Sequence, residues 1–242
     1  MSYNNCKSPP GPVTDLVSDE TSNIGEDTSV VFINKFVKTF FASLIYIILF
    51  VTTVSASTVN KPSILVIGDS LSAAYNMPQE AGWVNLLQSR LDANKLSFNV
   101  INASISGDTS AGGLNRIKNA LRHANPALTI IGLGGNDGLR GLPLDEMKKN
   151  LAHIITSIQA AGSKVLLLGI QLPPNYGPQY ISDFKNNYSL LADKHNIALV
   201  PSMLNGFEDD PAYFQADQIH PSVKAQARIL DNVWPTIVLL LD

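Results

Sequence analysis

Five residues in this chain have types and spacing that could do acyl-transfer chemistry. Ser70 stands in Gly68-Asp69-Ser70-Leu71-Ser72, directly after the apolar run Ile64-Leu65-Val66-Ile67. A serine at such a strand exit can cap the helix expected to open there, or act as a nucleophile where a helix N-terminus favours negative charge. Gly107, in Asn102-Ala103-Ser104-Ile105-Ser106-Gly107-Asp108-Thr109-Ser110, serves either a turn or a backbone N–H donor with no side chain in front of it. Asn136, in Gly132-Leu133-Gly134-Gly135-Asn136-Asp137-Gly138, is either part of a Gly-rich turn or an amide donor to an oxyanion. Asp217-Gln218-Ile219-His220 places a carboxylate three residues before an imidazole. Such a carboxylate can accept from Nδ1–H and leave Nε2 free as a base, the alternative being two solvated loop side chains.

The elements that must position these residues can be read from periodicity. Short apolar runs at Ile64–Ile67, Phe98–Asn102, Leu128–Leu133, Lys164–Ile170 and Ala198–Pro201 predict strands buried on both faces. Between them, Gly82–Ala93, Ser110–Ala124, Leu144–Ala161 and Gln179–His195 carry helical patterns, with a last one from Pro221 to about Leu241. Alternating β and α elements predict an α/β domain, a three-layer flavodoxin-like fold with a five-stranded parallel sheet. Open α/β sheets hold their sites at the carboxyl ends of the strands. Ser70, Gly107, Asn136 and the Asp217–His220 pair all fall at such exits. The other histidines, His123, His153 and His195, lie in or near the ends of helical stretches. Together the five supply a nucleophile, a base with its orienting acid, and oxyanion donors, the roles that acyl transfer requires.

Composition excludes several other classes. A net charge of -3 over 242 residues offers no basic stripe for nucleic acid. Cys6 is the only cysteine, which rules out a disulfide framework, a thiolate metal cluster and a catalytic thiol. Neither a Gly-x-x-x-x-Gly-Lys-Ser/Thr loop nor a Gly-x-Gly-x-x-Gly after the first strand is present, so nucleotide binding is not expected. No metal or cofactor is expected either. Gly68-Asp69-Ser70 is also not the Gly-x-Ser-x-Gly elbow of the α/β-hydrolases.

The amino-terminal part reads differently. Residues 1–34 are polar and acidic, with Pro9, Pro10 and Pro12, and are expected to be disordered. Residues 35–56 join Lys35 and Lys38 to an apolar run, Thr39 to Val54, and the small residues Ser55-Ala56-Ser57. This is the pattern of a secretory signal peptide cleaved after Ala56. The run is 16 residues, against about 20 for a comfortable bilayer span, though an uncleaved membrane anchor is the alternative. No methionine lies between Met1 and Met77, so a start nearer the signal would use a non-Met codon such as that of Val30 or Val31. The catalytic domain is expected over residues 57–242, in the periplasm or secreted, or anchored to the inner membrane and facing the periplasm.

With these motifs in view, the chain resembles the SGNH (GDSL) hydrolases, and within them the bacterial periplasmic thioesterase I/lysophospholipase/arylesterase branch. The resemblance covers nearly all of Ile64 to Ala225 and rests on the four spaced blocks around Ser70, Gly107, Asn136 and Asp217-x-x-His220. It implies that Ser70 attacks the acyl carbonyl, that His220 carries the proton and that Asp217 orients His220. It further implies an oxyanion hole of Ser70 N–H, Gly107 N–H and the Asn136 amide. Pro173-Pro174-Asn175-Tyr176-Gly177 also resembles the branch's substrate-side loop. By the same resemblance Leu139, Leu142, Leu172 and Tyr176 would line an acyl groove, ordinary loop packing being the other explanation. The expected substrate is a small-molecule acyl ester or thioester (acyl-CoA, lysophospholipid or aryl ester), and a monomer is expected. Rival readings on the same fold are a carbohydrate O-acetylesterase and a non-catalytic, membrane-tethered binding module.

Overall fold

A computed structural model describes residues 32, 33, 35–40 and 61–242. Two compact units divide the chain, Met1–Thr58 and Val59–Asp242. In the first, residues 32, 33 and 35–40 are helical, and Phe32, Ile33, Phe36 and Phe40 are exposed. Most of the expected signal segment and the polar stretch before it lie outside the described residues. Among the described residues no helix is long and apolar enough to cross a membrane.

The second unit alternates strands and helices: β1 Ser63–Gly68, α1 Trp83–Ala93, β2 Asn99–Asn102, α2 Ser110–Ala124, β3 Pro126–Gly132, α3 Gly135–Leu139, α4 Leu144–Ala160, β4 Lys164–Leu168, α5 Pro178–His195, β5 Ala198–Val200 and α6 Val223–Leu241. All strand pairs are parallel, in the order β2-β1-β3-β4-β5. Every residue of β1 is buried, because it lies inside the sheet and both of its faces are covered. Ile64 and Val66 meet Trp83 and Leu87 of α1 and Ile229 and Val233 of α6 on one face. Leu65 and Ile67, with the opposite pleat direction, meet Ile117 of α2, Leu151 and Ile155 of α4 and Phe184 of α5 on the other. Burying each such side chain stabilises the fold by about 1.5–3 kcal/mol.

This is the flavodoxin-like order of a three-layer α/β fold. From β1 the chain moves outward to β2, then crosses back to β3 on the other side of β1. The carboxyl ends of β1 and β3 therefore diverge at a topological switch point, where open sheets leave a crevice. Ser70 follows one of these strands and Asn136 the other.

Several boundaries differ from those expected. β4 ends at Leu168, and α6 begins at Val223, after Pro221 has paired with Phe214 in an isolated bridge. Asn136 lies in the short helix α3. The largest departure comes after Ser70: the expected helix does not form, and residues 70–76 run through consecutive turns. Ala73 N–H reaches the Asp69 carbonyl as in one helical turn, but Ala74 and Asn76 then adopt left-handed angles, φ 54° and 53°, which end the turn. The cap of this turn is Asp69, whose Oδ1 accepts from Leu71 N–H at 3.0 Å, so Ser70 is relieved of capping.

Candidate active site

Ser70 is set by its neighbours in the turn. Gly68 lies so close to two hydroxyls that a Cβ there would fall 2.9 Å from Ser72 Oγ and 3.1 Å from Ser104 Oγ, so a side chain would push the turn off the strand. The Asp69 carbonyl accepts from Ser72 and Ala73 N–H, which turns Ser70 Oγ toward the loop before α6. There, Ser70 Oγ lies 2.9 Å from His220 Nε2, and His220 Nδ1 lies 2.8 Å from Asp217 Oδ2. A carboxylate can only accept, so Nδ1 carries the proton, and Nε2 is left to accept from Ser70 O–H.

Asp217 is itself held in place. Asp217 Oδ1 accepts from Ile219 N–H at 2.9 Å and from His220 N–H at 3.0 Å, so the loop wraps around its own carboxylate. Partial burial pushes the Asp217 carboxyl up, but the backbone N–H groups of His220 and Ile219, with the His220 imidazole, outweigh it and bring it to about 2. The loop is closed by Gln215 N–H to the His220 carbonyl at 2.8 Å and Ser222 N–H to the Tyr213 carbonyl at 2.7 Å.

The two other strand exits bring Gly107 and Asn136 to the same edge. Gly107 has φ 77°, and its carbonyl accepts from Arg140 Nη2 at 2.8 Å. Among the described residues, neither Ser70 N–H nor Gly107 N–H donates to an intramolecular acceptor. Asn136 Nδ2 donates to the Asp108 carbonyl at 3.0 Å and, at a longer 3.3 Å, to Asp69 Oδ2. Asn136 is thus tied both to the residue before Ser70 and to the residue after Gly107.

Two supports of this arrangement have no clear mark in the sequence. Arg116 of α2 donates from Nε to Asp108 Oδ2 at 2.8 Å, and its guanidinium also reaches the carbonyls of Gly68 and Ala103. One side chain therefore joins the first strand exit to the second, and the eight-residue spacing from Asp108 to Arg116 gave no signal. Asp69 is the other. It is 3 % exposed, and burial raises its carboxyl to about 6, although Leu71 N–H, His220 and Asn136 each favour its ionised form. Its place beside Ser70 was the one available hint.

A cavity of about 220 Å³ reaches Gly135 and Ile219, the sequence neighbours of Asn136 and His220; Leu139, Leu172, Leu204 and Phe214 form its apolar wall, and Glu208 and Asp209 also line it. Of the four residues expected to line an acyl groove, Leu139 and Leu172 line this cavity. Leu142 and Tyr176 do not line it. Tyr176 instead stands behind the wall, donating from its hydroxyl to the Leu139 carbonyl at 2.6 Å, and Leu142 is 38 % exposed beyond it. A larger cavity, about 410 Å³, opens at the β5 edge among Lys185, Ser202, Asn205 and Asn232, and none of the five candidate residues lines either cavity.

Comparison with known proteins agrees with this geometry. Residues 66–228 match the model of the GDSL-like Lipase/Acylhydrolase family. The chain is 52% identical to "Esterase TesA" of Pseudomonas aeruginosa over 179 residues, 74% of this chain and 89% of that protein. It is 37% identical to "Thioesterase 1/protease 1/lysophospholipase L1" of Escherichia coli K12, over 76% of this chain and 86% of that one. Among solved structures, a psychrotrophic esterase EstA from Pseudoalteromonas, inhibited by monoethylphosphonate, superposes with a TM-score of 0.71 at 40% identity, covering 74% of this chain and 98% of the other. On the strength of the family match, these identities and the fold, the chain belongs to the GDSL-like (SGNH) lipase/acylhydrolase family.

Proposed function

We propose that this protein is a serine esterase and thioesterase that hydrolyses acyl esters through an acyl-enzyme on Ser70. The observation that carries the reading is the unbroken line Ser70 Oγ–His220 Nε2–Asp217, with steps of 2.9 and 2.8 Å. In acylation, His220 Nε2 takes the Ser70 proton as Oγ bonds to the acyl carbon, then gives it to the departing oxygen or sulfur. Asp217 holds the Nδ1 proton and stabilises the imidazolium between these transfers. The same base then activates water to cleave the Ser70 ester. The tetrahedral oxyanion would be received by Ser70 N–H, Gly107 N–H and Asn136 Nδ2, the last giving up its longer bond to Asp69.

The apolar wall of the cavity at Ile219 supports an acyl chain in that position, and the carbohydrate O-acetylesterase is the alternative that acetylated sugars test. The names of the relatives, esterase and thioesterase/lysophospholipase, describe acyl substrates of the same class. Inhibition of EstA by a phosphonate is the chemistry expected of a serine nucleophile. The test is a hydrolysis panel of acyl-CoAs of several lengths, lysophospholipids, aryl esters and acetylated sugars. Ser70→Ala should lower turnover on every accepted substrate by about 10⁴-fold or more, since triad members act as a unit. A Ser70→Ala protein that hydrolyses esters at the original rate would remove the mechanism.

We further propose that residues 35–56 act as a signal peptide cleaved after Ala56 and that residues 57–242 form a monomeric periplasmic hydrolase. The basic flank, apolar run and small-residue exit support this. Amino-terminal sequencing of the exported protein should begin at Ser57; a mature protein that keeps Thr39 to Val54 would make it an anchored enzyme.

A further inference from the structure

The leaving group of an acyl substrate must pass beside His220, because Nε2 hands it the proton. The cavity described above reaches Ile219, the residue before His220. Tyr75 does not line that cavity, yet its ring lies on His220, with centroids 4.3 Å apart and planes inclined by 35°. The ring is 43 % exposed. Steadying the imidazole would need only a buried residue, whereas Tyr75 stays exposed while in contact with His220.

The backbone is built to present it. Ala74 and Asn76, on either side of Tyr75, both have left-handed φ angles, 54° and 53°, which non-glycine residues adopt only under constraint from their surroundings. Gly82 supplies part of that constraint: a Cβ at residue 82 would meet Ala74 Cβ at 2.9 Å, so the absence of a side chain there lets Ala74 seat. Gln215 supplies the rest. Its Nε2 donates to the Tyr75 carbonyl at 3.0 Å, its Oε1 accepts from Asn76 Nδ2 at 3.1 Å, and its own N–H donates to the His220 carbonyl. One side chain therefore fastens the Tyr75 turn to the loop that carries the base.

We propose that Tyr75 is the platform of a leaving-group subsite that takes aryl groups by stacking. The inference deepens the serine-esterase reading above and rests on it. In the acylation step, the Ser70 Oγ–carbon bond forms, the carbon–oxygen bond to the aryl group breaks, and the proton removed from Ser70 travels through His220 Nε2 to the phenolic oxygen. Stacking on Tyr75 lasts only while the aryl group is attached or leaving. It favours acylation and has no counterpart in deacylation, when that group is gone.

Two esters with one acyl group test this. Phenyl butyrate and methyl butyrate form the same butyryl-enzyme, so a change in the ratio of their kcat/KM values isolates the leaving group. Tyr75→Leu, which keeps an apolar bulk but no ring, should lower the phenyl-to-methyl ratio by about 2- to 10-fold, the range expected of one aromatic pair. Tyr75→Phe should retain the ratio, and in Tyr75→Leu the loss should be confined to acylation. If Tyr75→Leu slows both esters equally, or slows hydrolysis of the butyryl-enzyme as much as its formation, Tyr75 merely steadies His220 and the subsite is overturned. Labelling by a fluorophosphonate probe separates the two readings. A labelled Ser70 with an unchanged ratio overturns the subsite alone, whereas an unlabelled Ser70 in the unsubstituted protein overturns the acyl-enzyme as well.

Discussion

The buried carboxylate of Asp69, beside the proposed nucleophile Ser70, is the group whose behaviour pH should reveal most directly. Asp69 titrates near 6 in the folded protein, above the ordinary carboxyl value of about 3.9 that it regains on unfolding. A raised folded pKa means that the native state binds the extra proton between those values. Its contribution to stability is therefore present at low pH and is lost as pH rises from about 4 through about 6. Relative to Asp69→Asn, the wild type should lose on the order of 2 kcal/mol of stability between pH 4.5 and 7.5, read from urea midpoints at each pH. The same substitution should reduce turnover, because an asparagine cannot accept from both Leu71 N–H and Asn136 Nδ2 in the way the two carboxylate oxygens do. Asp217 runs the opposite way. Its folded pKa is depressed to about 2, so its contribution is fully present above the unfolded value and fades only as pH falls through 2. Replacing Asn136 by alanine should lower kcat by about 10²–10³-fold, with the fold intact by circular dichroism, if it is an oxyanion donor.

At the scale of elements, the site depends on contacts that join one strand exit to another. Arg116 lies on α2, but its guanidinium bonds to Gly68 after β1, to Ala103 after β2 and to Asp108 beyond Gly107. Its ion pair with Asp108 is mostly enclosed, with side-chain exposures of 20% and 12%. Arg116→Met should destabilise the protein by about 3 kcal/mol, since it strands a part-buried carboxylate, and should lower kcat more than it raises KM. Urea unfolding and steady-state kinetics would check both parts. The turn from β3 into α3 depends on a similar close fit. Gly134 has φ 105°, and a Cβ there would fall 2.4 Å from the Tyr188 hydroxyl, which donates to the Leu133 carbonyl at 2.9 Å. Gly134→Ala should therefore cost more than the roughly 1 kcal/mol of a left-handed alanine alone, because it also displaces Tyr188 and the turn that delivers Asn136.

For the whole molecule, the two faces of the sheet are each closed by helices from within Val59–Asp242. A protein comprising residues 57–242 should therefore fold with the same thermal midpoint as the full chain and hydrolyse esters at the same rate, as differential scanning calorimetry and an ester assay would show. Closure of both faces also explains why the strands read as continuous apolar runs rather than as alternating patterns. Because the strand order reverses direction at β1, distant parts of the chain meet there: Ser70 and His220 are 150 residues apart in sequence and 2.9 Å apart in space.

The sequence by itself determined the α/β class and the five strands, and it singled out the five candidate residues that the fold brings to one sheet edge, because apolar runs and turn-forming motifs are local properties. It could not determine the backbone path beyond Ser70, where a helical pattern yields to left-handed Ala74 and Asn76 pinned by Gly82 and Gln215. Nor could it sort the groove residues: Leu139 and Leu172 reach the cavity, while Leu142 and Tyr176 have the same apolar character but stand elsewhere. The ties of Arg116 to Gly68, Ala103 and Asp108, of Asp69 to Asn136, and of Tyr75 to His220 belong to the same category. Each joins residues from different strand exits, and only the folding of the sheet decides which of those exits become neighbours.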